Sequence, residues 1–253
     1  MRIFLKTEDE IILLRAASQL ATRALIEVGR HVVPRLALSH LRNKVVNAVM
    51  RTVPTESNSG KEALSSDTEF TFFVNGAYIE PSLEGECMLC EGDWLTVNCW
   101  VCLNGYYSFG AHTFIVGSSQ DDEPMTSTLR DMLRQVVRRA SAGHSIKEMC
   151  RTVYSLHSHD PYVLQKTFGH GVGRNRVENP ILRMNPGVND TVLLKEGMCL
   201  VIALAFKHGR SHFIKPRLMH ESTFHNSFVP FGTTVVVRPG RPEILTSFET
   251  IVM

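Results

Sequence analysis

Two periods of hydrophobic and polar residues run along this chain, and each change of period marks a predicted element. Thr7-x-x-Glu10 has the form of a capping box. Apolar residues then fall at Ile11, Leu14, Ala17, Ala21, Leu25 and Val28, one stripe of a helix several turns long that Pro34 ends. Ser39 is predicted to cap a second helix, with Leu41, Val45 and Val49 inward and Pro54 as its stop. Residues 54–67 are polar and read as a surface loop, and Phe70–Val74 reads as a short strand closing on Asn75-Gly76. From residue 91 to 117 the period changes to two. Aromatic and β-branched runs flank Asn104-Gly105 there, a strong short-range hairpin signal. An acidic, turn-rich stretch follows from Gly117 to Pro124.

The same order then returns. A helix is predicted from about Thr126 to Ala140, and Ser145-x-x-Glu148 caps another with Ile146, Met149 and Val153 on one face. Strand-like Val163–Phe168 leads into Gly169-His170-Gly171-Val172-Gly173. Next, Lys195-Glu196-Gly197 and the apolar run after it parallel Cys90-Glu91-Gly92. Asn98 stands six residues after Gly92, and Ala203 six after Gly197. Strands at Thr233–Arg238 and Glu243–Glu249 close the chain. A unit this long occurring twice points to two α+β halves, about 1–117 and 125–253, within one domain over 1–253. A pocket is expected between them.

Composition narrows the partners. The 253 residues carry a net charge of +2, with 43% hydrophobic and 21% charged residues. So small a charge demands neither nucleic acid nor membrane. No apolar run reaches the roughly 20 residues of a membrane span, and Met1–Lys6 lacks the form of a signal peptide. A cytoplasmic protein is the expectation, with the nucleus or an organelle left open. Cys87-x-x-Cys90 and Cys99-x-x-Cys102 imitate a zinc ribbon. Cys99 and Cys102 fall inside a predicted strand, however, where residues three apart face opposite ways. Buried free thiols are the expectation. Gly169-x-Gly-x-Gly173 lacks the lysine and spacing of a phosphate-binding loop.

The landmarks together resemble the methionine aminopeptidases, in the short type I form. Those that carry the resemblance are Leu5-Lys6-Thr7-x-x-Glu10-Ile11, Val74-Asn75, Glu91-Gly92-Asp93, Asn104-Gly105-Tyr106, Thr113-Phe114-x-Val116-Gly117, Gly169-His170-Gly171-Val172-Gly173-Arg174, Glu178-x-Pro180 and Glu196-Gly197-Met198. The resemblance covers nearly the whole chain. It implies an α+β pita-bread fold of two pseudo-symmetric halves around a central curved antiparallel sheet. It also implies that the family-like domain starts at once, without an N-terminal docking extension.

In that family two divalent ions are held by two aspartates, one histidine and two glutamates, and the pair activates a water and polarises the scissile carbonyl. The resemblance puts those positions on Asn98, Phe109, His170, Ala203 and Gly232. Four of the five thus hold a neutral residue in place of a carboxylate, and a neutral Asn with one imidazole is too little for a metal pair. Glu221 or Asp190 would restore one carboxylate if the register shifted, but not four. The family's second histidine falls on Val177, just before Glu178 in the former substrate pocket, and the histidine expected after Val74-Asn75 is missing. His170 is read as a structural residue of its glycine-rich loop.

From these losses the expectation is a pseudoenzyme without catalytic residues, metal or cofactor. It would serve as a binding or assembly module in a protein or ribonucleoprotein complex, in the manner of ribosome- or chromatin-associated relatives. The alternative is an active metallo-aminopeptidase using Co, Mn or Zn. A third reading is RNA contact through two basic groups: Arg130, Arg134, Arg138 and Arg139 on one helix, and Lys207, Arg210, Lys215 and Arg217 in a loop. Neither a membrane nor reading of DNA sequence is expected.

Overall fold

The computed structural model describes residues 2–53, 64–117, 124–157, 163–164, 167–184, 192–207 and 228–247. In chain order the elements are α1 (Glu8–His31), α2 (Leu38–Thr52), β1 (Glu69–Val74), β2 (Ala77–Ile79), a 3₁₀ turn at Pro81–Leu83, β3 (Trp94–Leu103) and β4 (Tyr106–Ile115). The second half adds α3 (Pro124–Arg138), α4 (Ile146–His157), β5 (Val163–Leu164), β6 (Thr167–Gly171), β7 (Glu178–Arg183), β8 (Cys199–Lys207), β9 (Phe228–Val236) and β10 (Glu243–Ile244). The strands form one antiparallel sheet in the order β2-β1-β3-β4-β9-β8-β6-β7, with β10 on β9 and β5 on β8. The α+β class expected from the sequence is what the chain adopts.

Local chemistry explains most element ends. The Thr7 hydroxyl accepts from the Glu10 amide while the Glu10 carboxylate accepts from the Thr7 amide, a complete capping box at the head of α1. Ser145 and Glu148 repeat the device before α4. The stripe Ile11, Leu14, Ala17, Ala21, Leu25 and Val28 is buried throughout. Asn104 and Gly105 both take positive φ, 51° and 75°, and join β3 to β4 in a ten-pair ladder. That backbone suits the right-handed twist of the strands.

Four element boundaries depart from the sequence reading. The second helix begins at Leu38, with Ala37 at the cap and no side-chain cap. Its first amides go to distant carbonyls instead, Leu38 N–H to Cys87 and Ser39 N–H to Glu84. The strand predicted over Val163–Phe168 is divided between β5, paired with β8, and β6. β9 starts at Phe228, earlier than expected. The last strand is only Glu243–Ile244, because Thr246 turns inward, where its hydroxyl donates to the Phe109 carbonyl at 3.0 Å. The predicted loop at 54–63, the acidic stretch at 118–123 and residues 248–253 lie outside the described residues.

The sheet has two faces of different character. Val97, Cys99 and Val101 of β3 point into the main core with the α2 stripe and with the α1 stripe from Ala17 onward, while Ile11 and Leu14 belong to the second core. Alternation turns Asn98 and Trp100 to the other face, where Trp100 packs with Phe109, Ala111, Val201 and Ala203 in a second, smaller core. Cys87, Cys99 and Cys102 are buried free thiols, the last two on β3, whereas Cys90 is free but exposed, against the expectation. Burial drives the Cys99 thiol far above its ordinary pKa, as the reading of buried thiols requires.

Candidate functional site

Strand register assembles three of the five sequence-derived positions into a single row, with a fourth beside it. Asn98 on β3 is paired with Ala111 on β4, Ala111 with Gly232 on β9, and Gly232 with Ala203 on β8. Phe109, two residues before Ala111, leans over the row and is 7% exposed. A Cβ built on Gly232 would lie 2.7 Å from Phe109 Cε1 and 3.0 Å from the Ala203 Cβ. The Phe109 ring therefore occupies the space a side chain at 232 would need, and the smallness of 203 and 232 makes room for it.

The remaining residues frame this row. Trp100 is paired with Phe109 across the β3–β4 ladder, with ring centroids 4.7 Å apart. His170 stacks on Trp100 at 6.0 Å and 9°. The His170 Nδ1 lies 2.8 Å from the Gly171 carbonyl, as the reading of a structural histidine in its loop expected. Burial pulls the His170 pKa below its ordinary value, against that hydrogen bond, so the imidazole is held towards its neutral form. At the rim the Arg176 guanidinium sits 5.7 Å from the Trp100 ring and 5.8 Å from Tyr107, and donates to Glu69 at 2.8 Å. Trp100 was not singled out in the sequence; its alternation with Asn98 on one strand is the signal that places it.

A pair of dications needs several anionic oxygens, at least one of them bridging. The row offers one amide, Asn98, whose Oδ1 is buried and has no hydrogen-bond partner. Beyond it lie a methyl at Ala203 and a phenyl ring over Gly232. Among the described residues no three His, Cys, Asp or Glu side chains gather where they would hold an ion. This donor set does not fit the two-metal group of the family. Glu221 and Asp190 lie outside the described residues.

The other sequence-derived residues range from exposed to buried. Val177 is 58% exposed. Glu178 is buried and accepts from Lys6 Nζ at 2.5 Å, with both side chains 5% exposed. The reading of Arg130, Arg134, Arg138 and Arg139 as one RNA-contacting group needs a correction. Arg130 is 6% exposed, its guanidinium 6.0 Å from the Phe231 ring, so it is no surface contact. Successive positions four apart on a helix drift by roughly 40°, which carries Arg130 toward the buried Leu129 and Leu133 while Arg138 and Arg139 stay exposed. Arg134 pairs with Asp131 at 2.7 Å. Lys207 ends β8, and Arg210, Lys215 and Arg217 lie outside the described residues.

Fold and register together define a protein of the pita-bread class. Residues 12–239 match the model of metallopeptidase family M24, and the chain belongs to that family. Over 248 residues it is 25% identical to a methionine aminopeptidase of Clostridium perfringens, covering 96% of this chain and 98% of that one. A methionine aminopeptidase of Helicobacter pylori is 28% identical over 220 residues, 83% of this chain and 85% of the relative. Among solved structures, methionine aminopeptidase from Thermotoga maritima superposes with a TM-score of 0.78 at 21% identity, covering 97% of this chain and all of the other. Prolidase from Pyrococcus furiosus shares the fold with a TM-score of 0.72 at 19% identity, this chain spanning 66% of it.

These comparisons correct one expectation. Relatives named methionine aminopeptidase, 23–28% identical over most of the chain, support a peptidase-family function in place of the binding-module pseudoenzyme. Loss of four ligand positions does not by itself imply loss of the family's role, and the whole-length similarity runs against that inference.

Proposed function

We propose that this chain acts on peptide N-termini, removing the N-terminal residue, the reaction named in its methionine aminopeptidase relatives. The observation that supports this reading is similarity running end to end, with 96% of this chain and 98% of the Clostridium perfringens relative aligned. A peptide end entering the inner face would meet the Trp100–Phe109 pair as an apolar wall, with Asn98 beside it on the same face. The row of Asn98, Gly232 and Ala203, with Phe109 over it and His170 on the Trp100 ring, does not fit a metal pair.

The assay incubates purified protein with peptides of varied first residue, methionine included, with and without added Co, Mn or Zn. Mass spectrometry reads the products, and elemental analysis reads bound metal separately. Loss of one N-terminal residue from at least one peptide is expected, with methionine preferred. Intact peptides in every condition, alongside a methionine aminopeptidase that cleaves them, would overturn the proposal.

A further inference from the structure

The convex side of the first half carries a second feature, unrelated to the inner row. α1 and α2 pack together, and between them lies an open groove of about 320 Å³ lined by Arg23, Glu27 and His31 of α1 and by Lys44, Asn47 and Arg51 of α2. That volume falls within the size class of small-ligand sites, about 300–1,000 Å³. The spacing explains the convergence. Positions 23, 27 and 31 repeat every four residues, and 44, 47 and 51 fall three and four apart, so each helix turns one polar face to the other.

The charges in this groove do not balance. Glu27 is its single carboxylate, and its oxygens are already engaged by Arg23 at 3.0 Å, Arg30 at 3.0 Å and His31 at 3.6 Å. α2 contains no acidic residue over its length. Lys44 and Arg51 are exposed and make no ion pair among the described residues. Arg23 Nε is buried and has no acceptor among the described residues. Set against a whole-chain charge of +2, this is a local cationic surplus aimed into a concave surface. An anion with several oxygens satisfies it by reaching cations on both helices at once.

We propose that the α1–α2 groove binds phosphate groups, as a free oligophosphate or as the backbone of a single-stranded nucleic acid. This binding is independent of the peptidase reading, and neither depends on the other. Isothermal titration would measure inorganic pyrophosphate and a short RNA of mixed sequence against the full chain in chloride buffer. Three proteins are compared: wild type, the groove double variant Lys44→Ala/Arg51→Ala, and the control Lys195→Ala/Arg241→Ala. The control removes two exposed cations elsewhere, for the same loss of charge. Pyrophosphate or RNA binding that weakens at least tenfold in the groove variant and under twofold in the control is expected. Comparable affinity for both ligands assigns the groove to free oligophosphate. RNA bound more than tenfold tighter, with affinity falling steeply as salt rises, assigns it to a nucleic-acid backbone. No binding of either ligand, or equal losses in the two variants, would overturn the proposal.

Discussion

The two central strand pairs, β3–β4 and β8–β9, meet along the middle of the sheet and are built on opposite principles. β3–β4 is closed by a two-residue turn, packs its outer face on α1 and presents bulk inward, with Trp100 and Phe109 side by side. β8–β9 presents almost nothing inward at the same level, only a methyl at Ala203 and a hydrogen at Gly232. Neither pair makes sense alone. The ring supplied by the first fills the hollow left by the second, so the inner face is one packed unit shared between two halves.

The largest test of that complementarity is Gly232→Glu. The new side chain would start 2.7 Å from Phe109 Cε1 and bring a carboxylate into an apolar space, so a loss of about 4 kcal/mol is expected. At about 2–4 °C per kcal/mol for a chain of this size, thermal unfolding should fall by roughly 8–16 °C. Adding Phe109→Ala should return about 1–2 kcal/mol of it in a double-mutant cycle. No recovery would mean that the ring and the hollow are not partners.

A second variant asks how firmly the halves are joined elsewhere. Lys6→Ala leaves the buried Glu178 carboxylate without its cation, at an expected cost of about 3 kcal/mol in denaturant unfolding. Lys6→Met with Glu178→Leu should restore most of it. A double variant as unstable as the single would show that packing, not the unpaired charge, sets the cost.

His170 gives a pH signature. Its folded pKa lies below the ordinary 6.5, so the unfolded chain takes up the proton first as pH falls. Its stabilising contribution is whole above about pH 7 and is lost as pH drops through 6.5 toward the folded value. Measured between pH 7.5 and 5, His170→Gln should show a flatter fall in unfolding midpoint than wild type; parallel curves would remove His170 from the account.

The smallest effect carries the opposite sign. Asn98→Leu deletes the buried, partnerless Oδ1 and is expected to be neutral or to stabilise by up to about 1 kcal/mol. A loss above that would reveal a partner for Asn98 in solution.

Local rules were legible in the sequence and tertiary ones were not. Both capping boxes and the Asn104-Gly105 turn are satisfied by residues within a few positions, so the sequence displays them in full. The start of α2 escaped because its free amides are answered by Glu84 and Cys87, more than forty residues away. The inward turn of Thr246 was hidden for the same reason, since its acceptor is the Phe109 carbonyl. Among the site residues, the positions 98, 109, 203 and 232 were legible one by one through resemblance. That Phe109 and Gly232 share one volume belongs to the pairing of β4 with β9, which no stretch of sequence contains.

The Lys6–Glu178 pair has a consequence in time as well as in energy. Its two members stand 172 residues apart, and the Lys6 amide is bound by the carbonyl of Gly197, later still. At a synthesis rate of roughly 5–20 residues per second, Lys6 waits roughly 10–35 s for its carboxylate to be made. A segment made well before its partners is thus seated only after they are made.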